Sequence, residues 1–194
     1  MSNGQRSMFN VLPCCYLAPV SHYSAYYRAD EVRLEVCDHF TKQTLRNRCY
    51  IDSPNGPLAL TIPVVKEECR TMMRDIRISD HGNWRHQHWT ALESSYRQSP
   101  FFEFYADDFA PFYEKKWTFL ADFNEDLMAL VASLLDISKP VTRTSSYEGD
   151  ALAQLQPFEA RAYYQVFASR HGFLPDLSIV DLLFNQGPEG VLWL

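Results

Sequence analysis

Hydrophobic periodicity changes near residue 80, and that change limits what the chain can fold into. Before it, apolar side chains alternate with period two. Val32, Leu34 and Val36 alternate with Arg33, Glu35 and Cys37, the pattern of a strand with one buried face. Val11–Leu17, Cys49–Ile51 and Leu58–Val65 read as further strands, and an alternation around Ile76 and Ile78 predicts another at Asp75–Ser79. Asn55-Gly56 supplies the tight turn between the third and fourth, because both residues accept positive φ. A helix over Ser21–Arg28 interrupts this part, with tyrosines at 23, 26 and 27 at helical spacing.

From residue 83 the apolar repeat is three and four. Trp84, His88, Leu92 and Tyr96 make one stripe of a helix that Asn83 caps and Ser99-Pro100 ends. A second helix is expected over Phe101–Tyr113, interrupted near Pro111, and a third from Asn124 to Asp136 with an apolar stripe through Leu127, Leu130, Val131, Leu134 and Leu135. Ser145–Pro157 has no strong pattern and reads as a connector. Ala162–Phe167 is aromatic and β-branched, and Ser178 is placed to cap a short last helix. The fold class is therefore α/β: a single domain over 1–194, with the sheet from the N-terminal part (about 11–80) packed by helices from the central part (83–136). The 158–194 segment packs back as a lid or extra layer.

Composition narrows the function. The 194 residues include 13 Phe, 11 Tyr and 4 Trp, too many aromatics for a disordered chain. A net charge of −6 disfavours non-specific binding to nucleic acid. No apolar run approaches the ~20 residues of a bilayer span, and Pro13 and Pro19 spoil Val11–Val20 as a signal-peptide core, so a cytoplasmic location is expected. The five cysteines Cys14, Cys15, Cys37, Cys49 and Cys69 form no CxxC pair. They read as reduced thiols rather than a disulfide framework or a zinc site.

The densest polar cluster runs from Asp38 to Arg48, directly after a predicted strand, where α/β folds hold ligands. Lys42, Arg46 and Arg48 bring three cations together. An extended Arg46–Arg48 turns both guanidiniums to one side, which suits phosphate or carboxylate. Asp38 or His39 can handle a proton; a solvated loop with Asp38 paired to an arginine is the bland alternative. His86 and His88 invite a metal, but on a helix they point about 200° apart, so no metal site is assigned. His88 lies on the apolar stripe and faces the core or a pocket wall. His86 and Glu93 share the opposite face. His22, in the turn after the first strand, is a weaker candidate for a phosphate contact. Cys14 and Cys15 read as buried and inert.

These residues also carry a resemblance. His39-Phe-Thr-Lys-Gln-Thr-Leu-Arg-Asn-Arg-Cys-Tyr-Ile51, Leu60-Thr-Ile-Pro-Val64, the stretch from His88 to Phe102, Asp122-Phe-Asn124 and a tail with Tyr164-Gln-Val-Phe, His171-Gly-Phe and Asp181-Leu-Leu-Phe-Asn together resemble the WbqC-like family, the tail in the form carried by Bacteroidetes members. The chain departs at its opening. Members usually have a Gln-Pro-Tyr-like strand and a Gly-Tyr-Phe turn, where this chain has Leu12-Pro13-Cys14-Cys15-Tyr16 and His22-Tyr23-Ser24. The resemblance implies a setting in O-antigen and other surface-polysaccharide biosynthesis, and a transferase that moves an aminoacyl (glycyl) or acyl group to a sugar or sugar nucleotide. In that reading His39 is the general base, with His88 or Asp38 as orienting partner. Lys42, Arg46 and Arg48 bind the anionic part, and Gln43, Asn47 and Tyr96 make neutral hydrogen bonds. No cofactor is identified, and no ATP-binding fingerprint is found. The rival reading is a non-catalytic sugar-nucleotide-binding or scaffolding protein of the same pathway.

Overall fold

The computed structural model describes residues 9–66, 71–153, 155 and 158–194. Cys69 and part of the expected 145–157 connector lie outside them. β1 (Phe9–Pro13), α1 (Val20–Arg28) and β2 (Glu31–Glu35) form a strand–helix–strand unit, and β1 and β2 pair in parallel with Leu12 opposite Leu34. β2 is the middle strand, because β5 (Val141–Arg143) pairs in parallel along its other side. β3 (Arg48–Ile51) and β4 (Leu58–Thr61) form a separate antiparallel hairpin. Gly56, at φ +95°, closes its turn: the Gly56 N–H donates to the Ser53 carbonyl at 3.0 Å. The α/β class and the hairpin agree with the sequence. The third strand of the parallel sheet does not come from the N-terminal part. β5 follows the central helices, and three residues behind a proline are too few to show alternation.

The central helices are α2 (Trp84–Tyr96), α3 (Phe102–Glu114) and α4 (Leu120–Leu134). α3 continues through Pro111. The proline removes one N–H from the ladder, but Pro111 and Asp107, whose carbonyl loses its donor, are both exposed, so the loss falls on the solvent side of the helix. α4 begins a turn earlier than its apolar stripe suggested. Asp75–Ser79 is not a strand. Met73–Asp75 is a 3₁₀ turn, after which Arg77 and Ile78 each make a single bridge, to Phe119 and Val64. Its alternation is nevertheless real, since Ile76 and Ile78 are buried and Arg77 is exposed. Asn83 and Ser178 stand at the N-cap positions of their helices without a side-chain capping bond, and the Ser178 hydroxyl donates to the Leu17 carbonyl at 2.8 Å instead.

The aromatic residues build two packing centres. Phe123 of α4 is fully buried among Tyr16, Trp84, Phe112, Tyr113 and Trp117. Phe184, on α6 (Ile179–Gln186), is fully buried against Tyr96, Phe102 and Phe109. α6 is thus core rather than lid; every residue from Ile179 to Asn185 is buried. It ends at Gly187, at φ +62°, where a Cβ would stand 2.6 Å from the Phe101 ring. Short α5 (Ala168–His171) lies between the central helices and α6 in sequence. Phe184→Ala is expected to lower stability by roughly 3–5 kcal/mol, as for other large-to-small changes at buried aromatics, measured by urea denaturation.

Candidate functional site

The loop that leaves the carboxyl end of β2 is fastened from below. The Asp38 carboxylate pairs with the Arg46 guanidinium, and both side chains are largely buried. The Arg46 carbonyl accepts from Asn124 Nδ2 of α4 at 2.8 Å. Asn47 donates through Nδ2 to the Ile62 carbonyl at 2.9 Å and accepts the Gln43 N–H on Oδ1 at 3.1 Å. That last bond holds Gln43 in a left-handed turn, φ +61°. Arg46 and Arg48 do not present one fork. The extended segment starts only at Arg48, whose Nε donates to Thr61 Oγ1 at 2.8 Å, while Arg46 turns inward to meet Asp38. Left exposed at the tip are His39, Lys42 and Gln43.

His88 sits elsewhere, in a buried polar chain. The Tyr16 hydroxyl lies 3.0 Å from its Nδ1 and 2.9 Å from the Tyr113 hydroxyl. The Thr61 backbone lies beside the same ring. Burial lowers the His88 pKa from 6.5 to about 4. His39 and His88 are not hydrogen-bonded to each other among the described residues, and Nδ1 of His88 is engaged by Tyr16.

Tyr96 is also fully buried, and it opens onto a second network. Its hydroxyl accepts the Asp52 N–H at 3.1 Å and donates to Asp181 Oδ1 at 2.9 Å. Asp181 Oδ2 receives the Tyr163 hydroxyl at 2.7 Å and Gln165 Nε2 at 2.8 Å. Burial pushes Asp181 up to about 6, against the pull of these donors. Asp52 is also raised by burial, with His171 Nε2 opposing that rise from 3.1 Å. The signal for this network in the sequence is Asp181 itself, one charge inside the apolar run Ile179–Phe184. Asp52, hidden in a turn sequence, gives no such signal.

His22 is buried, donates to the Pro13 carbonyl at 2.9 Å and is lowered by burial to about 4. His86 is exposed, and Glu93 pairs loosely with Arg97 at 3.5 Å. Cys14, Cys15, Cys37 and Cys49 are free and buried, and burial pushes the Cys14 thiol up to about 12, far from a reactive thiolate. No helix among the described residues is long and apolar enough to cross a membrane.

A small parallel α/β sheet with a braced loop at the carboxyl end of its middle strand is the general class. Within it, the chain belongs to the WbqC-like protein family, whose model matches residues 15–170. It is also similar to Rv1507c of Mycobacterium tuberculosis, described as an uncharacterized protein, with 31% identity over 188 residues covering 77% of this chain and 81% of that one. No solved structure matches. The family match takes in the 38–48 loop, Asp52, Tyr96, Tyr163 and Gln165, and it stops short of His171 and Asp181.

The burial of His88 sets a pH dependence. A histidine held neutral in the fold contributes stability that is present above its unfolded pKa of 6.5 and lost as pH falls towards 4. At 1.36 kcal/mol per pKa unit this is roughly 3 kcal/mol. In urea denaturation over that range, wild type should lose stability on acidification more steeply than His88→Gln. Equal slopes would show that His88 does not titrate with unfolding.

Proposed function

We propose that this protein is a cytoplasmic enzyme of bacterial surface-polysaccharide biosynthesis that transfers an aminoacyl (glycyl) or acyl group to a sugar or sugar nucleotide. The family supports the context. The observation that carries the chemistry is the tip of the 38–48 loop, with His39, Lys42 and Gln43 exposed on a turn that the Asp38–Arg46 pair and Asn47 brace. It stands at the carboxyl end of the middle parallel strand, where α/β folds place ligands. A substrate hydroxyl or amine attacks the acyl carbonyl and passes its proton to His39. The acyl–carrier bond then breaks, and the leaving group takes the electron pair. Lys42 and Gln43 hold the anionic portion. Asp38 keeps the loop in place through Arg46.

One observation favours the non-catalytic reading instead: His39 has no side-chain hydrogen bond to orient its ring among the described residues. The two readings separate on paired variants. UDP-N-acetylglucosamine at 100 times its dissociation constant should stabilise wild type by about 2.7 kcal/mol, several degrees in melting temperature. Lys42→Gln should lose most of that shift. His39→Ala should keep it and lose transfer, followed by mass spectrometry of the sugar product. A full shift in Lys42→Gln contradicts the placement of the anion, and undiminished transfer by His39→Ala contradicts the base.

A further inference from the structure

We propose that the cleft between α2 and residues 166–170 is a binding site for a sugar that carries an anionic group. The proposal rests on residues outside the 38–48 loop and stands or falls separately from the reading above.

The cleft has a volume of about 480 Å³, within the usual range for small-molecule sites. Two guanidiniums, Arg97 and Arg170, line it beside a single carboxylate, Glu93. Neither arginine is held by a strong partner. The Arg97–Glu93 contact is 3.5 Å long, and the Arg97 side chain is 71% exposed; such a pair contributes little. Arg170 is exposed and meets the face of the Phe167 ring at 5.7 Å. On a protein of net charge −6, a cleft in which two available guanidinium forks outnumber one carboxylate is suited to an anion. The rest of the lining is matched to hydroxyls: Thr90, Ser94 and Gln98 stand along α2 and just beyond it, and Pro54, Val166 and Phe167 give an apolar side for a ring.

The cleft is also preorganised. Ser95 and Arg97 flank Tyr96 in the chain, Val166 follows Gln165, Arg170 precedes His171, and Pro54 is two residues beyond Asp52. The Asp52 backbone, Tyr96 and Gln165 belong to one buried network whose hydrogen bonds run from 2.7 to 3.1 Å, and His171 stands 3.1 Å from Asp52 and bonds the Ser53 carbonyl. Binding groups held by such a supporting layer lose less freedom when a ligand arrives. Asp52 and Asp181 are buried and do not line the cleft. Asp181 is surrounded by donors, and Asp52 lies beside the His171 imidazole.

The test is calorimetric titration of the full chain with glucose 1-phosphate, glucuronate, glucose and inorganic phosphate. Variants are Arg97→Gln/Arg170→Gln and, as a control on the other site, Lys42→Gln. All three changes are at exposed side chains, and unfolding curves confirm that the fold is kept. Wild type should bind at least one charged sugar at least tenfold more tightly than glucose and inorganic phosphate. The stronger of the two charged sugars identifies the anion as phosphate or carboxylate. The double variant should weaken that binding tenfold or more, and Lys42→Gln should leave it unchanged. Absence of binding by wild type, undiminished binding by the double variant, or loss in Lys42→Gln alone would each overturn the proposal. The last outcome would move the ligand to the 38–48 loop.

Discussion

The carboxylate of Asp181 lies in the first turn of a helix buried on every side, and donors reach it from two other parts of the chain. A buried carboxylate without partners costs several kcal/mol. Here Tyr96, Tyr163 and Gln165 answer it. They come from α2 and from a segment ahead of α6, so one charge fixes three parts of the chain together. A carboxylate only accepts, so Tyr96 must donate to it. The Tyr96 oxygen is then free to accept from the Asp52 backbone and tie in the end of the β3–β4 hairpin. α6 held in this way puts Phe184 among Tyr96, Phe102 and Phe109.

The other half depends on a neutral counterpart. Tyr113, Tyr16 and His88 form a buried hydrogen-bonded chain beside the Thr61 backbone. The chain joins α3, the segment after β1, α2 and the hairpin without burying a charge. α2 therefore carries both networks, through His88 and Tyr96 two turns apart, and its remaining side chains are free to line a cleft. The 38–48 loop is organised by the same economy of partners. Its buried arginine and asparagine fasten it, and its histidine and lysine are exposed.

Periodicity made the α/β class, the hairpin and the three central helices legible, because each has enough residues for its repeat to show. β5 was not legible, since three residues cannot display alternation and its strand identity comes from pairing with β2. Asp75–Ser79 shows the reverse: its burial alternates as in a strand, but its neighbours supply single bridges, so no ladder forms. The polar loop was visible as a cluster. Which of its cations turned inward was not, because the Asp38–Arg46 pairing depends on a turn that Gln43 makes at positive φ. His88 was correctly expected on the buried stripe. Its partners Tyr16 and Tyr113 are 72 and 97 residues apart from His88 and from Tyr16 respectively, and nothing local announces them. Asp181 is one charge in an apolar run, and its meaning required Tyr96, 85 residues away.

The Tyr96–Asp181 hydrogen bond couples α6 and residues 163–167 to α2 and the hairpin. Amide hydrogen exchange on Tyr96→Phe tests it directly, because this change keeps the ring, leaves the Asp52 N–H without its partner and leaves Asp181 Oδ1 only the Asn185 amide at 3.5 Å. Orphaning a buried polar group costs about 1–3 kcal/mol, so exchange should accelerate roughly tenfold or more in α6, at 163–167 and at 52–56, with β1 and β2 retaining their protection. Unchanged exchange in α6, or the same acceleration throughout the chain, would contradict the account.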